Sequence, residues 1–311
     1  MEGIFDSVKD VLKDEMEIRN FYADSKLSRF QNILSVKKYA GEINHITGDI
    51  NFLAIGLRGK KNILTIHDFG YFENPVHSKM VKIIYKLFWY TLPLKFVERV
   101  TVVSDFTKQK LIKYFNFPED KIRVVHDPVK PVFRKSIRTS YNAVHRILQI
   151  GSGDHKNVMN MIEAVKGSPY HIDIVGWPSP NEIKKLKEYN ISYSVSNSLT
   201  DEQVFEKYRD CDILFFASFY EGFGMPIIEG QAVGRPVITS NTGAMKEVGE
   251  GSAVLVDPNS PQEIRKAMDT LLHDKKYYDE VVANGFKNAD KYNHVTIARQ
   301  YLQVYEELNK K

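Results

Sequence analysis

Two glutamates stand on either side of a glycine-rich turn in residues 219–240, FYEGFGMPIIEGQAVGRPVITS. A carboxylate accepts several hydrogen bonds, so Glu229, after the turn, could accept two from the diol of a ribose. Glu221 lies before the turn and could reach the same ligand. Because a separation of eight residues is weak as a pattern, the surrounding elements decide whether the two glutamates form a site.

The turn lies between a predicted strand and a predicted helix. The segment before it, DILFFAS, is almost continuously apolar, which is typical of a strand buried on both faces. The segment after it, MPIIEGQAV, predicts a helix with Pro226 near its first position, where the missing N–H costs nothing. The chain is therefore predicted to pass from strand to helix at this turn.

The amides of Gly222, Phe223 and Gly224 are placed at the N-terminus of that helix. The glycines let a ligand approach the backbone closely, and the helix dipole favours an anion such as a phosphate. The local pattern leaves a second interpretation open. In it the strand, turn and helix bind no ligand, and the acidic residue early in the helix only complements the helix dipole.

The rest of the chain alternates short β-branched runs with amphipathic stretches. In the first half, helices are predicted over 77–90 and 106–116, and strands over MEIRNFYA, KNILTIHD, RVTVVS and KIRVVHD. After a predicted linker from Pro128 to about Arg146 the pattern restarts, with strands in RILQIGSG, HIDIVGW, ISYSVS, DILFFAS and PVITS. This alternation predicts an α/β protein with two doubly wound parallel sheets, whose ligands bind at the carboxyl ends of the strands.

Length and composition indicate an ordinary globular protein. A chain of 311 residues with 43% hydrophobic and 26% charged residues fits two domains. No apolar run approaches the length of a membrane span, and MEGIFDSVKD lacks the features of a secretory signal, so the sequence predicts a cytoplasmic protein. The single cysteine, Cys211, fits a reducing compartment, and no HExxH or CxxC spacing suggests a metal site.

Charge is distributed unevenly along the chain. Residues 1–150 carry 25 basic and 16 acidic side chains, whereas residues 151–311 carry 18 basic and 23 acidic ones. A basic first half could meet an anionic membrane surface or an anionic acceptor, although differently solvated faces explain the same asymmetry. The basic residues are scattered and no recognition motif accompanies them, so nucleic acid is not a predicted partner.

One family shares these motifs in order and spacing. The string EGFGMPIIE, followed by AVGRPVITS, resembles the donor-site signature of the retaining glycosyltransferases of family four, the group 1 glycosyltransferases. The resemblance implies the GT-B architecture, which has two facing Rossmann-like domains with doubly wound parallel sheets. It covers nearly the whole chain through TIHD at 65–68, VVSDFTKQKLIKYF at 102–115, KIRVVHDPV at 121–129, GSGDHKN at 151–157 and EVGEGSAVLVDP at 247–258.

The resemblance implies roles for four side chains. Glu221 would contact the transferred sugar, Glu229 the nucleotide ribose, and Lys156 the donor diphosphate. His67, at a strand end of the first domain, would face the donor. The residues alone support Lys156, because a lysine at a helix start is unfavourable with the dipole and so favours an anionic ligand. A lone histidine at a strand end is more often structural.

The loop around Lys156 departs from the family. Members commonly have an arginine just after the first glycine, where this sequence has Ser152 in a shortened GSGDHKN. Phosphate neutralisation would then be weaker, or His155 would assist it.

No metal or cofactor is expected. Asp210 and Asp212 resemble the DxD metal motif of another glycosyltransferase fold, but they lie at a helix-to-strand junction and are interpreted as structural. The resemblance implies that cationic side chains and helix dipoles stabilise the departing diphosphate without a metal. The nucleotide sugar would be a co-substrate.

The sequence thus predicts a hexosyl- or related glycosyltransferase. It would move a sugar from a nucleotide-sugar donor to a hydroxyl of a glycan or lipid-linked acceptor, in surface polysaccharide synthesis. Retention of configuration follows from the family alone. Two alternatives stay open: a catalytically silent GT-B subunit that binds a partner, and a GT-B sugar-nucleotide epimerase or glycan phosphorylase.

Three segments are expected. Residues 1–136 would form the N-terminal, acceptor-side domain, residues 146–290 the donor-binding domain, and residues 291–311 a helix that packs back toward the N-terminal domain. Family members usually open with a strand and a glycine-rich loop, whereas here IFDSVKDVLKD begins almost at once. We therefore expect an incomplete first domain.

The helix predicted over 77–90, HSKMVKIIYKLFWY, combines lysines with aromatic residues. One interpretation is a lipid-facing or acceptor-facing surface, which would place the protein peripherally at the inner face of a membrane. The other is an ordinary core helix with a solvated basic stripe.

Overall fold

The computed structural model describes residues 2–73, 77–137 and 142–310, apart from the side chains of residues 2–4. The chain forms two compact units, one of Met1–Pro128 with His294–Lys311 and one of Val129–Asn293. Each unit has a wholly parallel sheet with helices around it. None of the described helices is both long enough and apolar enough to cross a membrane.

The first unit has a four-stranded parallel sheet in the order β1-β2-β3-β4. Its strands are β1 (Ile43–Ile46), β2 (Lys61–Ile66), β3 (Arg99–Val102) and β4 (Ile122–Val124). Its helices are α1 (Glu2–Leu12), α2 (Arg29–Val36), α3 (Leu53–Gly56), α4 (Gly70–Glu73), α5 (Lys79–Tyr85), α6 (Asp105–Phe115) and α14 (His294–Asn309). A π-helical stretch, Lys86–Thr91, continues α5 directly.

One predicted strand of this unit is wrong. Residues 16–23, MEIRNFYA, have no regular secondary structure, although Met16, Ile18 and Phe21 do pack against hydrophobic clusters. The alternation therefore marks real burial, but the backbone pairs with no strand. The edge strand beside β2 is β1, which was not predicted because INHI is short, half-buried and interrupted by two polar residues.

The second unit has a six-stranded parallel sheet in the order β10-β9-β8-β5-β6-β7. Its strands are β5 (Arg146–Ile150), β6 (His171–Val175), β7 (Ser192–Ser196), β8 (Ile213–Phe216), β9 (Val237–Ser240) and β10 (Val254–Val256). Its helices are α7 (Val158–Val165), α8 (Pro180–Glu188), α9 (Asp201–Asp210), α10 (Met225–Val233), α11 (Gly243–Gly249), α12 (Pro261–His273) and α13 (Lys275–Ala289). The central strand β8 is fully buried, as its apolar sequence predicts.

The last helix, α14, belongs to the first unit. Its buried residues Ile297, Tyr301 and Leu308 form one hydrophobic cluster with Val8 and Leu12 of α1. The spacing of these positions places them on one helical face. The N- and C-terminal helices of the chain thus share one core.

The segment that follows the first unit belongs to the second. The Val129 N–H donates a hydrogen bond to the Tyr292 carbonyl at 2.8 Å, and the Ser136 N–H donates to the Val233 carbonyl at 3.1 Å. Residues 129–136 therefore belong to the second unit, whereas the first domain was predicted to continue to residue 136.

Candidate active site

The loops after β5 and β8 lie side by side, because these strands are neighbours in the sheet. The Phe219 N–H donates a hydrogen bond to the His155 carbonyl at 2.8 Å. The Asn157 side-chain amide donates to the Ala217 carbonyl at 2.9 Å. Both loops stand at the carboxyl ends of parallel strands, where α/β folds bind ligands.

Lys156 and Glu221 meet across these two loops. The Lys156 Nζ donates to Glu221 Oε1 at 2.6 Å, and both side chains are largely shielded from solvent. The Lys156 Nζ also lies 4.8 Å from the centre of the Phe216 ring. A cation held between a carboxylate and an aromatic face is well positioned for an anionic ligand. The structure thus brings together two of the predicted site residues.

Gly151 makes room for the Lys156 side chain. Its φ of +87° lies in the left-handed region, and a Cβ atom there would lie only 2.9 Å from Lys156 Cε. Beneath the loop, the buried Gln149 side-chain amide donates to the Gly151 carbonyl at 3.0 Å and to the Lys156 carbonyl at 3.2 Å. The lysine therefore stands on a braced turn.

The glycine-rich turn leads directly into α10, as predicted. Gly224 adopts a φ of +113° at the N-cap position, and its carbonyl accepts the Ile227 N–H at 2.9 Å. The Phe223 side chain is buried and packs edge-on against Tyr292, with ring centres 5.4 Å apart. Gly222 is also buried. The Phe223 ring thus anchors the turn in the core, so that the backbone of Phe223 is the part that could serve a ligand.

Glu229 is buried in α10 and hydrogen-bonded to Tyr208 of α9. The Tyr208 hydroxyl donates to Glu229 Oε2 at 2.8 Å. Burial raises the pKa of Glu229 to about 7, although the Tyr208 hydrogen bond opposes the rise. Burial also raises the pKa of Tyr208, so the hydroxyl stays a neutral donor. The Glu229 carboxylate is therefore bonded to Tyr208, whereas Glu221 is bonded to Lys156.

Tyr208 was missed in the sequence analysis. The signal was its spacing of three from Phe205, which places both on the buried face of α9.

His67 lies in the first unit, immediately after β2. Its Nε2 is 2.9 Å from the Thr47 carbonyl, and its Nδ1 is 3.7 Å from Asp127 Oδ1. Because a carbonyl can only accept, Nε2 carries a proton, and Nδ1 faces the carboxylate. Burial lowers the pKa of His67, but the Asp127 carboxylate and the two contacts outweigh it, so the pKa is raised. Asp127, which stands in the quoted motif KIRVVHDPV, was missed as its partner.

Ser152, which stands where family members commonly have arginine, braces the loop. Its hydroxyl accepts a hydrogen bond from the Trp177 N–H, next to β6. His155, the suggested substitute for that arginine, has an exposed side chain in the same turn.

Asp212 accepts hydrogen bonds from the segment that leads into β5. Its buried carboxylate accepts the Arg146 N–H at 2.8 Å and the Asn142 side-chain amide at 2.9 Å. These hydrogen bonds give Asp212 a structural role. Across residues 2–73, 77–137 and 142–310, no group of three or more histidine, cysteine or acidic side chains could hold a metal ion.

Two family models match the chain. The model of glycosyl transferases group 1 matches residues 138–288, and the model of Glycosyltransferase Family 4 matches residues 36–133. Together they cover most of both units.

Several curated proteins are similar in sequence. An O-antigen chain mannosyltransferase B of Escherichia coli is 24% identical over 272 residues, 80% of this chain and 71% of that protein. An uncharacterized glycosyltransferase of Methanocaldococcus jannaschii is 24% identical over 253 residues, 67% of this chain but only 60% of that protein. An MMP alpha-(1->4)-mannosyltransferase of Mycolicibacterium hassiacum is 30% identical over 177 residues, 52% of this chain and 43% of that protein.

Solved structures share the fold. A sucrose-phosphate synthase from Thermosynechococcus elongatus superposes with a TM-score of 0.76 at 19% identity, over 93% of this chain and 81% of that one. HepE of Anabaena, solved in complex with UDP and glucose, has a TM-score of 0.76 at 16% identity, over 96% of this chain and 89% of that one. These similarities confirm the predicted α/β class with two parallel-sheet domains of the GT-B type.

Proposed function

The chain belongs to the group 1 glycosyltransferases, and from this membership we propose that it transfers a sugar from a nucleotide-sugar donor to a hydroxyl acceptor. The acceptor is a glycan or a lipid-linked glycan, and the configuration of the transferred sugar is retained. Two relatives are named as mannosyltransferases, one of them for an O-antigen chain, so mannose is the sugar that we propose first. Surface polysaccharide synthesis is the corresponding setting.

The observation that carries this proposal is the ion pair of Lys156 with Glu221 at the strand ends. In this ion pair the two charges neutralise each other. When the donor binds, its diphosphate replaces the carboxylate as the partner of Lys156. Glu221 is then released to accept hydrogen bonds from hydroxyls of the sugar.

The reaction breaks the bond between the anomeric carbon and the phosphate oxygen, and the bonding electrons go to that oxygen. The acceptor oxygen forms the new bond, and its proton passes to the departing phosphate. Charge therefore grows on the diphosphate in an oxocarbenium-like transition state. Lys156 and the N-terminal end of α10 stabilise that charge where it develops.

Glu229 holds the ribose in this proposal. Tyr208 occupies Oε2, so Oε1 is the atom that accepts from the ribose hydroxyls. A carboxylate accepts such bonds better than a neutral acid does. Because the pKa of Glu229 is about 7, donor affinity should increase as the pH rises through that value.

Kinetics of two variants test the assigned roles. Glu221→Gln should lower kcat more than it weakens donor binding, because the carboxylate acts near the reacting sugar. Glu229→Ala should mainly weaken donor binding, since the ribose is remote from the reaction. Glu250→Gln, at an exposed position of the same unit, is the control. If both site variants changed only the Michaelis constant, the assignment would be wrong.

A donor screen tests the function itself. Thermal stabilisation is measured with GDP-mannose, UDP-glucose and other activated sugars, followed by product analysis with a glycan acceptor. We expect saturable stabilisation by one donor and a new glycosidic product. Epimerised donor would indicate the epimerase alternative. Saturable binding without turnover would indicate the silent subunit.

A further inference from the structure

The outer face of α5 and its π-helical extension is a stripe of large apolar side chains. Five residues at positions i, i+3, i+4, i+7 and i+8 share this face and are between 47 and 71% exposed: Met80, Ile83, Ile84, Leu87 and Phe88. Two other residues of the π-helical stretch, Trp89 and Tyr90, are buried in the core of the first unit. The helix therefore has both buried and exposed apolar side chains.

Helix α2 of the same unit carries two further exposed apolar side chains. Phe30 and Leu34, four residues apart, are 68 and 60% exposed. The Arg29 guanidinium lies 4.6 Å from the centre of the Trp89 ring, which joins the start of α2 to the π-helical stretch. We call the seven exposed side chains the apolar ridge: Phe30, Leu34, Met80, Ile83, Ile84, Leu87 and Phe88. Exposed apolar side chains in such numbers on one unit indicate an interaction surface.

Every charged residue in the two segments that carry the apolar ridge is basic. Residues 25–41 contain Lys26, Arg29, Lys37 and Lys38, and residues 77–97 contain Lys79, Lys82, Lys86 and Lys95, with no aspartate or glutamate in either segment. An ordinary solvated surface mixes both signs of charge. Asp24, Glu42 and Glu98 lie directly outside these bounds. Within the two segments, the combination of apolar side chains and cations matches the boundary of an anionic bilayer, where apolar side chains enter the acyl region and lysines meet the headgroups.

We propose that the apolar ridge and its lysines bind the surface of an anionic lipid bilayer, holding the first unit peripherally on the membrane. A second copy of the chain is a poorer occupant, because a twofold interface would bring eight positive charges against eight others. The inference does not depend on the transferase reaction, since binding to lipid needs neither donor nor acceptor.

Flotation of the full chain with vesicles tests this inference. One set of vesicles is phosphatidylcholine alone, and the other is phosphatidylcholine mixed with phosphatidylglycerol. We expect the protein to float with the anionic vesicles and far less with the neutral ones, and added salt should weaken the association. Equal recovery with both sets, or with neither, would overturn the proposal.

Two double variants separate the apolar and the electrostatic contributions. Ile83→Ser with Leu87→Ser should weaken vesicle binding by roughly tenfold or more, because it removes apolar area that enters the bilayer. Lys79→Gln with Lys82→Gln should weaken it by about 25-fold, at about fivefold for each lysine. Binding as tight as that of the parent chain for either pair would contradict the proposal.

Matched controls carry the same changes elsewhere on the surface. Ile137→Ser with Val144→Ser removes two exposed apolar side chains of the second unit, and Lys184→Gln with Lys187→Gln removes two exposed lysines of α8. Both controls should float like the parent chain. Sedimentation without lipid completes the test: self-association abolished by Ile83→Ser with Leu87→Ser, together with no flotation, would show that the apolar ridge binds another copy instead.

Discussion

At the scale of single residues, Lys156 forms an ion pair with Glu221, and in the proposed function the donor diphosphate replaces Glu221 as its partner. Replacing it with alanine removes a charge-assisted contact to the diphosphate. We expect Lys156→Ala to weaken binding of a nucleoside diphosphate by about 1.5 to 3 kcal/mol, roughly ten- to hundredfold in Kd by titration calorimetry. Lys184→Ala, on exposed α8, should leave the Kd unchanged. Equal affinity of the parent and Lys156→Ala would contradict the assignment.

Glu229 makes stability depend on pH in a direction unusual for a carboxyl group. Its pKa is raised from 4.5 to about 7 by burial, so between these values the folded state binds more protons than the unfolded state. The free energy of unfolding therefore falls as the pH rises through this window, with an upper limit of about 3 kcal/mol for this residue. The contribution is complete below about pH 4.5 and is lost above about pH 7.

Glu229→Gln keeps an acceptor for Tyr208 and removes the titration. Its stability relative to the parent chain should increase between about pH 5 and about pH 8, as measured by urea unfolding at each pH. Glu250→Gln, at an exposed position, should follow the parent curve. A constant difference between parent and Glu229→Gln across the range would show that Glu229 is ionised throughout.

At the scale of elements, the loop before α7 holds Lys156 in position because Gly151 has no side chain to displace it. Both Gly151 and Gly167 have positive φ values, +87° and +69°, but only a Cβ at Gly151 would meet Lys156, whereas one at Gly167 would meet nothing within 4 Å. Changing either to alanine should cost about 1 to 2 kcal/mol in backbone strain. Only Gly151→Ala should also weaken diphosphate binding in calorimetry. Equal donor affinity of the two variants would show that Gly151 does not control the position of Lys156.

The sequence was most informative where burial is two-sided and glycines are required. The apolar run of β8, the glycines at 222 and 224 and the helix after them all stand where the pattern predicts them. Short and half-buried elements were harder to predict, because their apolar residues show no clear period in the sequence. Thus β1 was missed, and MEIRNFYA imitated a strand through alternation alone.

Partners contributed by distant segments were the least predictable part of the site. Tyr208 reaches Glu229 from α9, and Asp127 approaches His67 from the segment after β4. No local pattern encodes these contacts, since they depend on which strands become neighbours. The pairing of Lys156 with Glu221 has the same origin, although the resemblance had already selected both residues.

At the scale of the whole molecule, α14 joins the first unit although it follows the second unit along the chain. Ile297 is fully buried in its cluster with α1, so Ile297→Ala should lower the free energy of unfolding of this unit by about 2 to 4 kcal/mol. The chain has two tryptophans, and in a Trp177→Phe background the emission of Trp89 follows the first unit alone. Val295→Ala, on an exposed position of the same helix, should change the urea midpoint little. Matching midpoints for the two alanine variants would show that α14 adds little to that core.

The division of the chain into units has a consequence for its biosynthesis. A ribosome releases residues 1–128 of the first unit before any of the second, and it releases α14 only after the whole of the second unit. The second unit, continuous from Val129 to Asn293, can therefore fold as soon as it has emerged. The first unit cannot finish folding until α14 has emerged. Until then, Val8 and Leu12 of α1 expose the apolar surface that α14 later covers. A chaperone that shields apolar surface during translation would accordingly bind the part of the first unit that is made before the second unit.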